Sequence, residues 1–447
     1  MRRNQERLRE STRDEDPGLR GTRDATVSSL RDHARRWVAI VGVGAIYTVV
    51  RWVSHRFGRP RAGQPSGCIL VIGTFSNPNW FHAHIRPLAR SGLGTVVLVC
   101  DEPVEPIRGV RVHSPPRWLQ VLLSRAGAKL VWTLRCAWRY RPDLYMGYHI
   151  FPLAAIALCV ARLFGKPACY QATGGPLELE GGGWLAENRA LRALGGPSPL
   201  VARLAAAVVC EFDSVVVRGS GAATYMRGLG FKHGLAVITG SVEPRSAWRD
   251  FHARSIDVAF VGRLTDIKRP DRFIGAVAAI AAAVPGVRVA VIGDGPDAPM
   301  LHEQVAALGL TDNVSFLGQR ADVDQLLAAT RVFILTSRSE GLSIAMLEAM
   351  AAGAVPVVAD VGDLRDAIGH GENGFLVDQD DIAGYATAAI RLLTDESEWC
   401  ACSRHAAHSA LLKSGIDAIA QQWERHLRGP LSGQPASQAA SASGPTS

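Results

Sequence analysis

The sequence lacks any Cys-x-x-Cys pair, any complete glycine fingerprint for a dinucleotide, and any acidic residue between positions 107 and 141. Its eight cysteines lie mostly inside apolar runs, so they read as buried, reduced thiols, which predicts a reducing compartment and no disulfide framework. Cys400-Ala401-Cys402 has no partnering ligands nearby, so no metal site is expected. Gly42-Val43-Gly44 and Gly293-Asp294-Gly295 each miss the third glycine at the required spacing, which excludes a dinucleotide-dependent oxidoreductase. The net charge of +8 is also misleading. Residues 1–66 hold fourteen Arg against seven Asp plus Glu, so the body is near neutral and a nucleic-acid partner is not expected.

At 447 residues, with 47% apolar and 20% charged side chains, the chain suits two domains plus tails. Residues 1–36 are Arg-rich, mixed with acids and almost free of large apolar side chains, a composition that predicts disorder. Residues 37–66 contain the apolar run Val38–Val50, bracketed by Arg and Trp. As a helix this run extends about 20 Å against a hydrocarbon core of about 30 Å, too short to span comfortably. It suits a membrane-interface helix or, equally, a helix packed on the body.

Apolar strand-like runs at 68–76, 95–101, 144–149, 168–172 and 214–218 alternate with helical stretches, which predicts a doubly wound α/β domain over 67–250. The pattern restarts over 255–413, with strands near 256, 287, 314, 332, 355 and 375 and helices near 269–283, 297–308, 343–352 and 381–394. The join falls near 240–255, around Gly240 and Pro244. A helix over 414–428 and a low-complexity, disordered tail over 429–447 complete the chain. Ligands of such sheets bind beyond the carboxyl ends of the strands, here in the cleft between the domains.

The chemistry gathers in the second domain. Arg263 and Lys268 lie in GRLTDIKRPDRFI (262–274), directly after a strand, where two cations can converge on a diphosphate. In SEGLSIAMLEAMAAG (339–353), Glu340, Gly341, Leu342 and Ser343 lead into a helix whose first amides form a phosphate cradle. Glu348 lies less than two turns into that otherwise apolar helix, where an idle carboxylate is costly, and it can accept both hydroxyls of a ribose. Glu340, in the loop, is free to meet a sugar.

With these residues, VIGDGP (291–296), VSFLGQR (314–320) and GENGFLV (371–377), the chain resembles the GT-B retaining glycosyltransferases of family 4, the glycosyl transferases group 1. The match covers nearly all of 256–394 in the family's order. The resemblance implies a GT-B fold of two Rossmann-like domains. It further implies that Arg263 and Lys268 hold the diphosphate of a nucleoside-diphosphate sugar, Glu348 the ribose, Glu340 the transferred sugar, and the backbone at Gln319 and Arg320 the base. Gly293 and Gly295 are either turns that shape the pocket or structural glycines. Transfer of a hexose with retention, by front-face displacement and without a metal or other cofactor, follows. Fold-preserving alternatives are a sugar-nucleotide epimerase, a phosphorylase or a non-catalytic binding subunit.

The acceptor half is less legible. Family members often carry a histidine in the loop corresponding to Gln171–Gly175, and this chain has none. His149 is the catalytic candidate in its place, with a structural role as the alternative, and His82 and His84 rank lower. Gly174 and Gly175 either admit a substrate close to backbone or form a flexible loop. Arg117, Arg125, Lys129, Arg135 and Arg139, with Trp118 and Trp132, fall on one face of a predicted helix. That face reads as a contact with an anionic membrane, with a solvated helix as the alternative. The expected partners are therefore a nucleotide-sugar donor, a glycan or lipid-linked acceptor, and the inner face of the cell membrane reached from the cytoplasm.

Overall fold

The computed structural model describes residues 17–58, 67–75, 77–186, 188–231, 234–243 and 246–431, with side chains from Asp32 onward except at Arg189, Ala190 and Pro430. The expectations for 1–16, 59–66, Pro244 and 432–447 lie outside the described residues.

The first domain is a seven-stranded parallel sheet of order β3-β2-β1-β4-β5-β6-β7. Its strands are β1 (Cys68–Ile72), β2 (Thr95–Val99), β3 (Val110–His113), β4 (Leu144–Tyr148), β5 (Ala168–Gln171), β6 (Ser214–Val217) and β7 (Leu235–Val237). The second is a six-stranded parallel sheet of order β10-β9-β8-β11-β12-β13. It comprises β8 (Ile256–Val261), β9 (Val289–Ile292), β10 (Val314–Gly318), β11 (Thr330–Leu335), β12 (Val355–Ala359) and β13 (Phe375–Val377). Central strands are buried along their whole length, as their uninterrupted Val, Ile and Leu runs require when helices cover both faces. In both sheets the strand order reverses beside the first strand, so a crevice opens at the carboxyl ends. β3 and β7 escaped the sequence reading because they are edge strands of four and three residues, only partly buried.

One face of the first sheet carries α1 (Pro17–Phe57), α3 (Arg117–Tyr140), α4 (Ala155–Leu163), α5 (Pro199–Val209) and α6 (Ser220–Gly228), and the other carries α2 (Pro78–Arg90). The helical backbone from Pro17 corrects the expectation of disorder over 17–36. Extending a helix already nucleated by packing costs little, and Arg, Leu and Ala propagate it well. Val43 and Val50 of α1 are buried in the same core as α4 and α5, whereas Trp37, Val38, Val41, Val49 and Trp52 are exposed. The helix thus packs on the body and still presents an apolar face. Asp32–Phe57 is also long and apolar enough to cross a membrane by length and composition, which the thirteen-residue run alone is not.

The second domain places α7 (Pro270–Ala283), α8 (Ala298–Ala307), α9 (Val323–Ala328), α10 (Ile344–Ala351), α11 (Ile382–Thr394) and α12 (Glu396–Ser414) around its sheet. The chain then turns at Gly415 into α13 (Ile416–Leu431), which returns to the first domain. There Ile419, Trp423 and Leu427 join the core beneath α2, and His426 Nε2 lies 2.6 Å from Ser214 Oγ. This helix starts two residues later and ends three residues later than 414–428. The domains also meet through α6. Asp363 Oδ1 accepts from the amides of Gly221 (2.7 Å) and Ala222 (3.3 Å), and Asp366 accepts from the amide and hydroxyl of Ser220. Two carboxylates of one domain therefore cap a helix of the other.

Two details of the surface depart from expectation. Ser124 breaks α3 (φ 65°, ψ 167°), so a single helical wheel cannot hold across 117–139. Lys129 turns inward, 2.7 Å from Asp101 and 2.9 Å from Thr74 Oγ1, and Trp132 is half-buried. Arg117, Arg125, Arg135 and Arg139 remain exposed, beside exposed Trp118, Val121, Leu122 and Trp138. All eight cysteines are free; Cys210 is exposed rather than buried, because it caps the end of α5 at the surface.

Candidate functional site

The loops after β8, β9, β10 and β11 rise side by side from the carboxyl edge of the second sheet. Gly293 and Gly295 pack them: a Cβ on Gly293 would lie 1.9 Å from Gly262 O, and one on Gly295 2.1 Å from Leu264 O. Both glycines are thus needed for close approach of the loops that carry the cations. Arg263 stands exposed just after β8. Lys268 Nζ lies 2.6 Å from Glu340 Oε1, which also accepts from Ser337 Oγ at 2.6 Å. The Glu340 carboxylate is therefore not free, as the sequence reading had it, but is held by a cation from the neighbouring loop. Lys268 has two further N–H groups with which to meet an anion while keeping that contact.

Ser343 is the N-cap of α10, its hydroxyl accepting from the Met346 amide. Leu342 is buried, so it offers a ligand only its backbone. Glu348, half-buried and one turn into α10, lines an interdomain cleft with Asn79, His82 and Arg86 of α2. Gln319 and Arg320 are exposed after β10, and the Arg320 fork is engaged by Asp322 at 2.7–2.8 Å. Its guanidinium is thereby occupied locally, which leaves the backbone here to face a ligand.

The first domain meets this edge through the loop after β5. Thr173 O lies 3.3 Å from the position a Cβ would take on Gly341, and Gly341 Cα lies 3.9 Å from the corresponding point on Gly175. Gly174 and Gly175 therefore form a packed interdomain contact. Glu178 fixes this loop. Its Oε1 accepts from the amides of Thr173 (3.1 Å) and Gly174 (2.7 Å) and from Thr173 Oγ1 (3.2 Å), and Oε2 accepts from Tyr170 Oη (2.5 Å).

The same Oε1 lies 3.1 Å from His149 Nδ1. Burial pushes the Glu178 carboxyl up, but the His149 charge and these hydrogen bonds outweigh it and hold the group below its ordinary range. His149 itself has φ 59°, rare for a non-glycine residue, and stacks parallel to Trp80 at 6.4 Å. His82 pairs with Glu105 at 2.9 Å, and His84 is buried with Nδ1 on Trp80 O, its pKa driven down by burial and by Arg218.

Glu178 and Arg218 were missed in the sequence. Arg218 directly follows β6 and Glu178 lies in the loop after β5, positions from which side chains enter the cleft, but neither belongs to a motif. Among the described residues no three His, Cys, Asp or Glu side chains are grouped to hold a metal ion.

Residues 248–408 match the family described as glycosyl transferases group 1. Among curated proteins, the chain is 31% identical over 164 residues to N-acetyl-alpha-D-glucosaminyl L-malate synthase of Bacillus anthracis, covering 37% of this chain and 43% of that protein. It is 34% identical over 196 residues to the lipopolysaccharide core biosynthesis glycosyltransferase LpsE of Rhizobium meliloti, covering 41% and 55%. The match thus spans about half the length of these relatives. Among solved structures, Anabaena HepE in complex with UDP-glucose superposes with a TM-score of 0.65 at 19% identity, over 81% of this chain and 99% of that one. Sucrose-phosphate synthase of Thermosynechococcus elongatus gives 0.67 at 17% identity, over 81% and 98%. The fold is GT-B, and the second domain, over 248–408, matches the glycosyl transferases group 1.

Proposed function

We propose that this protein is a retaining, family 4 glycosyltransferase that moves a hexose from a nucleoside-diphosphate sugar to a glycan or lipid-linked acceptor, such as a precursor of a cell-surface glycan. The observation that carries the reading is the Lys268–Glu340 contact at the mouth of the second sheet, opposite the Thr173–Gly175 loop of the first. Arg263, Lys268 and the start of α10 neutralise the diphosphate as its charge grows, which is the role such preorganised donors fill best. Glu348 takes the ribose hydroxyls, Glu340 orients the sugar, and backbone near Gln319 reads the base. The acceptor hydroxyl attacks on the face the diphosphate leaves, and its proton passes to the departing phosphate oxygen. This scheme uses no metal or cofactor. His149, fixed by Glu178, stands beside the reacting sugar.

The similar structure that holds UDP-glucose supports a nucleotide sugar as donor. An anionic membrane on the cytoplasmic side is the further partner in this reading. Exposed Trp, Val and Leu interleaved with unpaired-sign Arg on α3, and the apolar outer face of α1, support it. The test is a screen of UDP-, GDP- and ADP-sugars by thermal shift, followed by an assay of free nucleoside diphosphate in the presence of EDTA. Release that needs an acceptor, survives chelation and gives a product of unchanged anomeric configuration is expected. Sugar interconversion without an acceptor, or binding without turnover, overturns the proposal.

A further inference from the structure

At the carboxyl ends of β4, β5 and β6, the apolar inner row of the first sheet gives way to polar side chains. Met146, Cys169 and Val216 belong to the core beneath α2, and strand alternation points Tyr148, Gln171 and Arg218 to the same side. With His84 of α2 they form a cluster in which every member is at most 6% exposed. Tyr148 Oη, both amide atoms of Gln171, His84 Nε2, and Nε and Nη2 of Arg218 have no partner among the described residues. The cluster lies directly under the interdomain contact.

Arg218 is its one permanent charge. Burial lowers its pKa to about 10, opposed by the charges of Glu340, Tyr148 and Glu178, so the guanidinium stays protonated at neutral pH. A buried cation with unmade hydrogen bonds is costly unless an anion meets it. Its surroundings say which anion. Arg218 Cδ lies 4.0 Å from where a Cβ on Gly341 would sit, against the loop that opens α10. Nη2 lies 3.2 Å from the equivalent point on Gly240, where a Cβ would also fall 2.2 Å from Ile344 Cδ1. A side chain at Gly240 would therefore not fit between the guanidinium and Ile344 in the first turn of α10.

We infer that Arg218 is a donor-binding residue supplied by the first domain: its N–H groups bind the phosphoryl group next to the transferred sugar, completing with Arg263 and Lys268 a cradle drawn from both domains. This rests on the donor site proposed above. It makes neutralisation of the leaving group depend on the domains being together, because one of the three cations comes from the first domain.

The test uses the full chain and follows binding of UDP, GDP, ADP, the matching nucleosides and inorganic pyrophosphate, with Arg218→Met, Arg218→Lys and Arg263→Ala. Arg218→Met is expected to weaken the preferred diphosphate and pyrophosphate by about tenfold or more and to leave the nucleoside unchanged, as the loss of charge-assisted bonds requires. Arg218→Lys keeps the charge without the fork, covers the case in which the Met variant does not fold, and is expected to fall between the two. Acceptor-dependent release of nucleoside diphosphate is expected to drop in step. Unchanged diphosphate binding in the Arg218 variants, with Arg263→Ala weakened, overturns this inference and leaves the donor site standing. A raised acceptor KM with donor binding intact overturns it too, and assigns Arg218 to the acceptor. Diphosphate binding unaffected by all three variants overturns the donor site itself.

Discussion

Replacing Glu178 with Gln removes one charge and no volume, and the structure says what that costs. The carboxylate accepts from Tyr170 Oη, His149, Thr173 and the Gly174 amide, at 2.5–3.2 Å, in a buried position. A hydrogen bond to a charged acceptor contributes about 1 kcal/mol more than a neutral one, so losing the charge on the three shortest costs about 3 kcal/mol. That corresponds to more than a hundredfold in the unfolding equilibrium of the first domain.

The dependence on pH has a definite sign. Because the folded pKa of Glu178 is depressed, its contribution is fully present above the unfolded value of about 4.3 and is lost as pH falls through the folded value. Urea unfolding of wild type and Glu178→Gln, followed by intrinsic fluorescence, should therefore differ most near pH 6, with the gap starting to close below the unfolded value of about 4.3 and vanishing only below the depressed folded value. Turnover should fall in the variant with donor affinity intact, since the carboxylate holds His149 and the Thr173–Gly175 loop but no donor group. Unfolding midpoints that coincide at pH 6, or a gap that widens in acid, would refute the reasoning.

Glu348→Ala is expected to raise the donor KM about tenfold with a smaller effect on kcat, whereas Arg263→Ala should mainly lower kcat; steady-state kinetics with the preferred donor decide. His426, held neutral by burial with its pKa lowered to about 4, takes up a proton only on unfolding across the interval from about 6.5 to 4. Stability should thus fall as pH drops through that interval, and His426→Gln should flatten this part of the unfolding curve. Replacing Trp118 and Trp138 with Ser should reduce sedimentation with phosphatidylserine vesicles severalfold and leave neutral vesicles unaffected; equal binding to both vesicle types would remove the charge component.

The second domain was legible almost element by element because its strands are continuous apolar runs and its helices start at marked turns. Arg263, Lys268, Glu340 and Glu348 stand out for the same reason: each departs from an otherwise apolar or regular stretch. The direct contact of Lys268 with Glu340 was not legible, since it joins residues seventy-two positions apart through loop geometry. Nor were Glu178 and Arg218, whose importance comes from what surrounds them in space. Arg218 follows SVVV as any strand-ending charge does. The helical wheel over 117–139 failed at one residue, Ser124, whose positive φ re-phases everything after it. Composition alone likewise hid the helix over 17–36, because a charged segment needs only an anchored neighbour to continue its ladder.

The return of α13 to the first domain has a bearing on how the molecule is made. Ile419, Trp423 and Leu427 close the floor under α2, so an emerging chain holds the first sheet with one side unsealed until almost the last described residue is synthesised. Folding of the earlier-made half must then wait for the later-made half. Trimming the final helix should harm the domain that begins at residue 67 at least as much as the one from which the helix departs.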